Sequence, residues 1–232
     1  MTSRRALWGS LIAIALAAAG LSLRLLISWQ GIDYLLESHP TQVFLIDDSF
    51  LSHNIARNLA LGQGMTFDGV HWTNGFQPLY VFLMVPLYWL YPHDLHLPVH
   101  LALTFLSLIN VLCALFLYRT VRLFSTTSGA LWAVALWMFS PDVVRLGING
   151  LETSLSVFFV SWALYHYLRH IRLPGSLSWR PFCFLGILLG AAVFTRLDSG
   201  LFAVAMGLDL LYLGIKKKRL GAYMIRSATA AK

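Results

Sequence analysis

The chain is divided into apolar stretches at 7–26, 99–118, 129–144, 151–168, 181–195 and 199–215, separated by short polar or basic runs. A hydrocarbon core about 30 Å thick needs about 20 apolar residues of helix to cross it. The stretches at 129–144 and 181–195 are short and borrow residues from their flanks. Only 12% of the 232 residues are charged and 58% are hydrophobic, whereas a soluble domain carries about 25% charge. The expectation is an all-α fold, a polytopic membrane helical bundle forming one transmembrane domain over 1–232.

A further apolar run, 79–91, would make about 20 Å of helix and contains Pro86. Charge placement decides whether it crosses. If it lies in the outer interface and the N-terminus is inside, the cytoplasmic side receives Arg4, Arg5, Arg119, Arg122, Arg169, Arg172, Arg180, Lys216, Lys217, Lys218, Arg219, Arg226 and Lys232. The outer side keeps Arg24, Arg57, Arg145 and Arg196. If 79–91 crossed, the basic run at 216–219 would face outward, against the positive-inside rule. The reading is therefore six crossings, both termini cytoplasmic, and a large extracytoplasmic first loop over about 28–98 that bears interfacial juxtamembrane helices. Ala17-Ala18-Ala19 resembles a signal-peptide cleavage site, but the apolar run is longer than a signal h-region and favours a retained helix.

The formal charge of +7 comes from these inter-span runs. No basic stripe with interleaved aromatics points to nucleic acid. Cys113 and Cys183 lie in apolar spans and read as small buried hydrophobes, not as a disulfide framework or a metal site. The topology brings Asp47, Asp48, Asp142, Glu152 and Asp198 to one membrane face, which is how a site is assembled from separate helix ends.

Asp47 or Asp48 is placed to cap a helix over about 49–61, where an anion also suits the helix dipole. Phe50, Leu51, Ile55, Ala56 and Leu59 give that helix an apolar side, with His53, Asn54, Arg57 and Asn58 opposite, toward solvent or headgroups. Gly62 and Gly64 end it. Pro78 starts the next helix, after the Asn74-Gly75 turn. Trp72, Phe76, Tyr80, Tyr88, Trp89 and Tyr91 form an aromatic belt. The amides of Asn74 and Gln77 at its edge suit a hydroxyl or phosphate oxygen. Glu152 either caps the helix after Asn149-Gly150 or joins the site. Arg196 either pairs locally with Asp198 or binds phosphate. Arg24 reads as snorkelling, and Asp209 as a functional or partly hydrated structural carboxylate within a span.

Asp47-Asp48-Ser49-Phe50, the helix ending at Gly62, Asn74-Gly75-Phe76-Gln77-Pro78-Leu79, Asn149-Gly150-Leu151-Glu152-Thr153 and Phe194-Thr195-Arg196 together resemble the GT-C superfamily of membrane glycosyltransferases. The nearest branch holds protein O-mannosyltransferases and lipid A aminoarabinose transferases. The resemblance spans most of this chain but only the N-terminal portion of such enzymes. It implies Asp47 as the base that deprotonates the acceptor, Asp48 as the acid beside it, and Glu152 as a polar acid at the same junction. Gln77-Pro78 stands where the family often has Lys-Pro-Pro or His-Pro, and Arg196 matches a family Thr-Lys or Thr-Arg. His53 and Arg57 on the following helix join the substrate-binding candidates.

The implied donor is a polyprenyl-phosphate sugar. The implied acceptor is a hydroxyl of a lipid, glycan or protein, with inversion at the sugar carbon and a bacterial plasma membrane as the location. No metal ligands are assigned, although a divalent cation is compatible with this chemistry. The competing readings are a transporter or lipid-binding protein, or an inactive fragment of the enzyme. Transporters favour inverted repeats and broken mid-membrane helices.

Overall fold

The computed structural model describes residues 2–37, 45–174 and 179–230, with side chains over 7–30, 45–174 and 179–216. Among the described residues the fold is all-α, and an isolated bridge between Thr66 and Trp72 is the sole β pairing. The order is α1 (Thr2–Glu37), α2 (Asp47–Ala60), α3 (Pro78–Leu90), α4 (Leu97–Val121), α5 (Thr127–Phe139), α6 (Pro141–Gly147), α7 (Thr153–Tyr167), α8 (Trp179–Thr195) and α9 (Gly200–Ala230).

The segments Leu7–Gln30, Leu97–Val121 and Leu197–Lys216 are long and apolar enough to cross a membrane. Pro78–Leu90, Thr127–Phe139 and Trp179–Thr195 are shorter apolar helices. Two boundaries differ from expectation. α1 continues to Glu37, well past residue 28, because no proline interrupts it. The stretch 129–144 is not one helix: Ser140 turns to an extended conformation before Pro141, and α6 starts afresh. Arg4, Arg5, Asp33, Glu37 and the basic residues beyond Lys216 lie outside the described side chains.

α1 and α5 approach closely through small residues, as membrane helices do. A Cβ on Gly9 would sit 2.4 Å from Thr127 Cγ2, and one on Gly20 would sit 2.6 Å from Met138 Cε. The main core joins the α2–α3 pair to α4 and α7 through Ile55, Tyr80, Val81, Met84, Leu103, Leu106, Leu155 and Phe158. A second cluster joins α7, α8 and α9 through Ala163, Tyr167, Leu185, Leu188 and Met206. α4 starts where the Asp94 carboxylate accepts the amides of His96 and Leu97. Asp94, exposed and two residues before the N-cap His96, thus orders the turn that leads into α4.

The readings of Arg24 and of the burial of Cys183 change, whereas Asp209 keeps a structural, partly hydrated role. Arg24 does not snorkel: it is fully buried. Cys113 is buried, but Cys183 is exposed on α8. Asp209 is paired, with Arg172 Nε 2.9 Å away and the Tyr167 hydroxyl donating to the same oxygen. Arg172 lies on a π-helical turn, Leu168–Arg172, that extends α7.

Candidate functional site

The site forms where the first turn of α2, the loop from α6 to α7 and the turn from α8 to α9 meet. Ile46 enters α2 in an extended conformation, and its N–H donates to Asn149 O at 3.3 Å. Ile46, and neither aspartate, is the N-cap. Asp47 and Asp48 occupy the first helical turn, exposed and with no side-chain cap bond. There they complement the helix dipole while their oxygens stay open to solvent.

Gly150 allows this meeting. Its φ is +77°, and a Cβ there would lie 2.6 Å from Leu45 Cδ2 and 2.9 Å from Ser49 Cβ. Across the loop, the buried Tyr80 hydroxyl of α3 donates to Gly150 O at 2.7 Å. Burial holds that phenol well above the usual tyrosine range. It therefore remains a donor at any working pH.

Glu152 precedes α7 without capping it. Its carboxylate turns instead to Arg196, whose Nη1 donates to Oε1 at 3.1 Å. The Glu152 side chain is only 3% exposed and the Arg196 side chain 36% exposed. Burial raises the Glu152 pKa above the ordinary value, and this outweighs the opposing effects of its own backbone hydrogen bond and Arg196. Asp48 is near enough for its charge to add to the rise. Oε2 of Glu152 and Nδ2 of Asn149 are both buried without a hydrogen-bond partner.

Arg196 also donates through Nε and Nη2 to Asp198. The two readings of Arg196 and Glu152 thus resolve together. The local Arg196–Asp198 pair exists, and a second, inward contact ties Arg196 to Glu152 44 residues away.

A pocket of about 280 Å³ opens beside this ion network, lined by Phe76, Gln77, Pro78, Val193, Phe194, Thr195, Arg196, Leu197 and Asp198. The structure therefore brings Gln77 and Arg196 to one cavity at the start of α3. Asn74 is exposed and does not line it. Asp142 is also exposed, in the first turn of α6.

The exposed placement expected for His53 is overturned. His53 is 5% exposed and shares a hydrogen bond of 2.7 Å with the Tyr88 hydroxyl. Burial pushes its pKa down to about 4, leaving the ring neutral near pH 7. Asn58 is buried as well, donating to Thr66 O and Phe67 O. Arg57 is half-buried near Tyr88, its Nε lacking a partner. Phe50, placed on the apolar side, is exposed. α2 thus buries His53 and Asn58 against α3 and the 62–76 loop in addition to the apolar Ile55 and Ala56. Tyr80 and Tyr88 brace the site from inside the core, while Trp72, Trp89 and Tyr91 remain exposed.

Sequence reasoning missed Asn149, Tyr80 and Tyr88. The Asn-Gly pair and the aromatic run were visible, but nothing local distinguished brace from belt. Among the described residues, no group of three His, Cys, Asp or Glu is placed to hold a metal ion.

Residues 99–230, more than half of the chain, match the family of dolichyl-phosphate-mannose-protein mannosyltransferases. The chain belongs to that family. It is accordingly an integral membrane glycosyltransferase of mannosyltransferase type, and the family implies a lipid-linked sugar donor. No curated protein and no solved structure matches it. The acids Asp47 and Asp48 and the amide Gln77 lie N-terminal to the matched segment, whereas Glu152 and Arg196 lie within it.

Proposed function

We propose that this glycosyltransferase moves a sugar from a polyprenyl-phosphate carrier to an acceptor hydroxyl at the extracytoplasmic face of a bacterial plasma membrane, with inversion at the anomeric carbon. The observation that carries the reading is the meeting of four stretches at one place. Gln77 and Arg196 line one pocket, Arg196 is bonded to the buried Glu152, and Asp48, in the first turn of α2 beside Asp47, is near enough to Glu152 for its charge to be felt there.

Asp47 takes the proton from the acceptor hydroxyl as that oxygen attacks the anomeric carbon and the bond to the lipid phosphate breaks. An open, solvated carboxylate is a weak base, so positioning supplies most of its effect. Asp48 extends the negative rim that receives the acceptor. Arg196 and Gln77 hold the departing phosphate, helped by the dipole at the start of α3. Phosphate competes for the guanidinium with Asp198, whose exposed pair is weak. Glu152 keeps the guanidinium in place throughout. Asn74, outside the pocket, is assigned to the acceptor side. Arg57 contributes charge behind α2, and His53 fixes α2 to α3.

The test supplies membrane vesicles holding the chain with a radiolabelled polyprenyl-phosphate hexose or with the matching nucleotide sugar. Transfer from the lipid donor alone, with an inverted anomer by NMR of the product, is expected. Transfer from the nucleotide sugar, or retention of configuration, contradicts the proposal.

A further inference from the structure

Arg24 is wholly buried inside the bundle, on a helix that supplies no residue to the site. Its Nη1 donates to Met138 O at 2.8 Å and to Gly20 O at 3.0 Å, and its Nη2 reaches Trp137 O at 3.5 Å. Those two α5 carbonyls lack helical partners for an identifiable reason. In a continuous helix Trp137 O would accept from residue 141 and Met138 O from residue 142. Pro141 has no N–H, and Ser140 has already turned the chain away with ψ 126°. An arginine from another helix therefore completes the broken end of α5.

The contact continues toward the site. A Cβ on Gly147, the last residue of α6, would lie 2.8 Å from Asn110 Nδ2 and 3.5 Å from Arg24 Nε. Asn110 Nδ2 donates to Ser154 Oγ at 2.6 Å, and Ser154 Oγ reaches Gly147 O at 3.5 Å. Trp137 Nε1 donates to Asn110 O at 3.3 Å. Ser154 lies two residues after Glu152. One buried polar chain thus runs from α1 through the helix break to both ends of the segment carrying Asn149, Gly150 and Glu152.

We infer that Arg24 is a positioning residue: by closing the α5–α6 break it fixes where the 147–154 loop, and hence Glu152 and its hold on Arg196, sits relative to α2. The reactive consequence rests on the transferase reading above. The structural consequence does not.

The experiment compares the wild-type chain, Arg24→Met and Arg24→Lys in nanodiscs by hydrogen–deuterium exchange and by sugar transfer from a polyprenyl-phosphate hexose. Arg24→Met is expected to speed exchange over 140–152 while leaving the 62–76 loop unchanged. It should lower kcat about 10- to 100-fold with KM within about twofold, the signature of a displaced group and not of a lost donor contact. Arg24→Lys, which keeps the charge but not the fork, should fall between. Unchanged exchange over 140–152, or a raised KM with kcat intact, overturns the inference. If Arg24→Met does not give monodisperse protein, Arg24→Lys and Ser154→Ala decide: faster exchange over 147–154 in both supports the inference, and wild-type exchange overturns it. A wild-type chain that transfers no sugar sinks the transferase reading alone, since the exchange comparison still decides the positioning.

Discussion

Removing Arg196 should make the stability of this protein depend on the protonation of Glu152. The two charges stand 3.1 Å apart. Coulomb's law gives that pair about 1 kcal/mol in bulk water and about 5 kcal/mol at an effective dielectric of about 20. Arg196 is 36% exposed and shared with Asp198, which moves the value toward the lower bound. Glu152 is buried, which keeps it off that bound. A coupling of about 2 kcal/mol follows.

In Arg196→Met the carboxyl loses the cation bonded to it, so its pKa, already raised by burial, rises further. A carboxyl whose folded pKa exceeds its unfolded one holds its proton more tightly when folded, so it costs stability above that pKa and stops doing so as pH falls through it. Arg196→Met should therefore lose about 2 kcal/mol at pH 8 and visibly less at pH 5. Glu152→Gln in the same background should return most of the loss at pH 8. The assay is denaturant unfolding of the four proteins of the double-mutant cycle in one detergent at both pH values. Equal losses at pH 5 and pH 8, with no recovery in the double variant, would refute the reasoning.

His53, neutral when folded with a pKa of about 4, should make the wild type lose stability as pH falls from about 6.5 toward 4, because the unfolded ring binds its proton first. The loss should approach about 3 kcal/mol, and His53→Phe should flatten that part of the curve in a pH series of unfolding midpoints. Gly150→Ala meets both a positive φ and Leu45 and Ser49, and should cost at least about 1–3 kcal/mol in a thermal melt. Single cysteines at the exposed positions Val70 and Leu173 test orientation: an impermeant maleimide added outside intact cells should label the first and not the second. Labelling of Leu173→Cys alone would invert the proposed topology.

The helical class, the Pro78 start of α3 and the glycine stop of α2 were legible because each depends on neighbours in sequence. Gly62 and Gly64 do adopt positive φ. What misled was local reasoning about groups with distant partners. Helix periodicity put His53 on a wet face, yet its partner Tyr88 is 35 residues on. Local rules left Glu152 open between a cap and the site, and it is the distant Arg196 that engages its carboxylate in the fold. Arg24 looked like a snorkelling terminus because the carbonyls it serves are released by a proline more than a hundred residues away. Asp47 and Asp48 were visible as an acid pair, but which structure faced them depended on Gly150, whose need for a bare Cα only packing reveals.

The central claim is that Asp47 is the base for transfer from a lipid-linked sugar. The measurement that meets it most directly is the rate of sugar transfer by Asp47→Asn beside wild type, in vesicles of equal protein content. The account predicts a loss of at least about 100-fold with unfolding behaviour unchanged. A rate near wild type would contradict it.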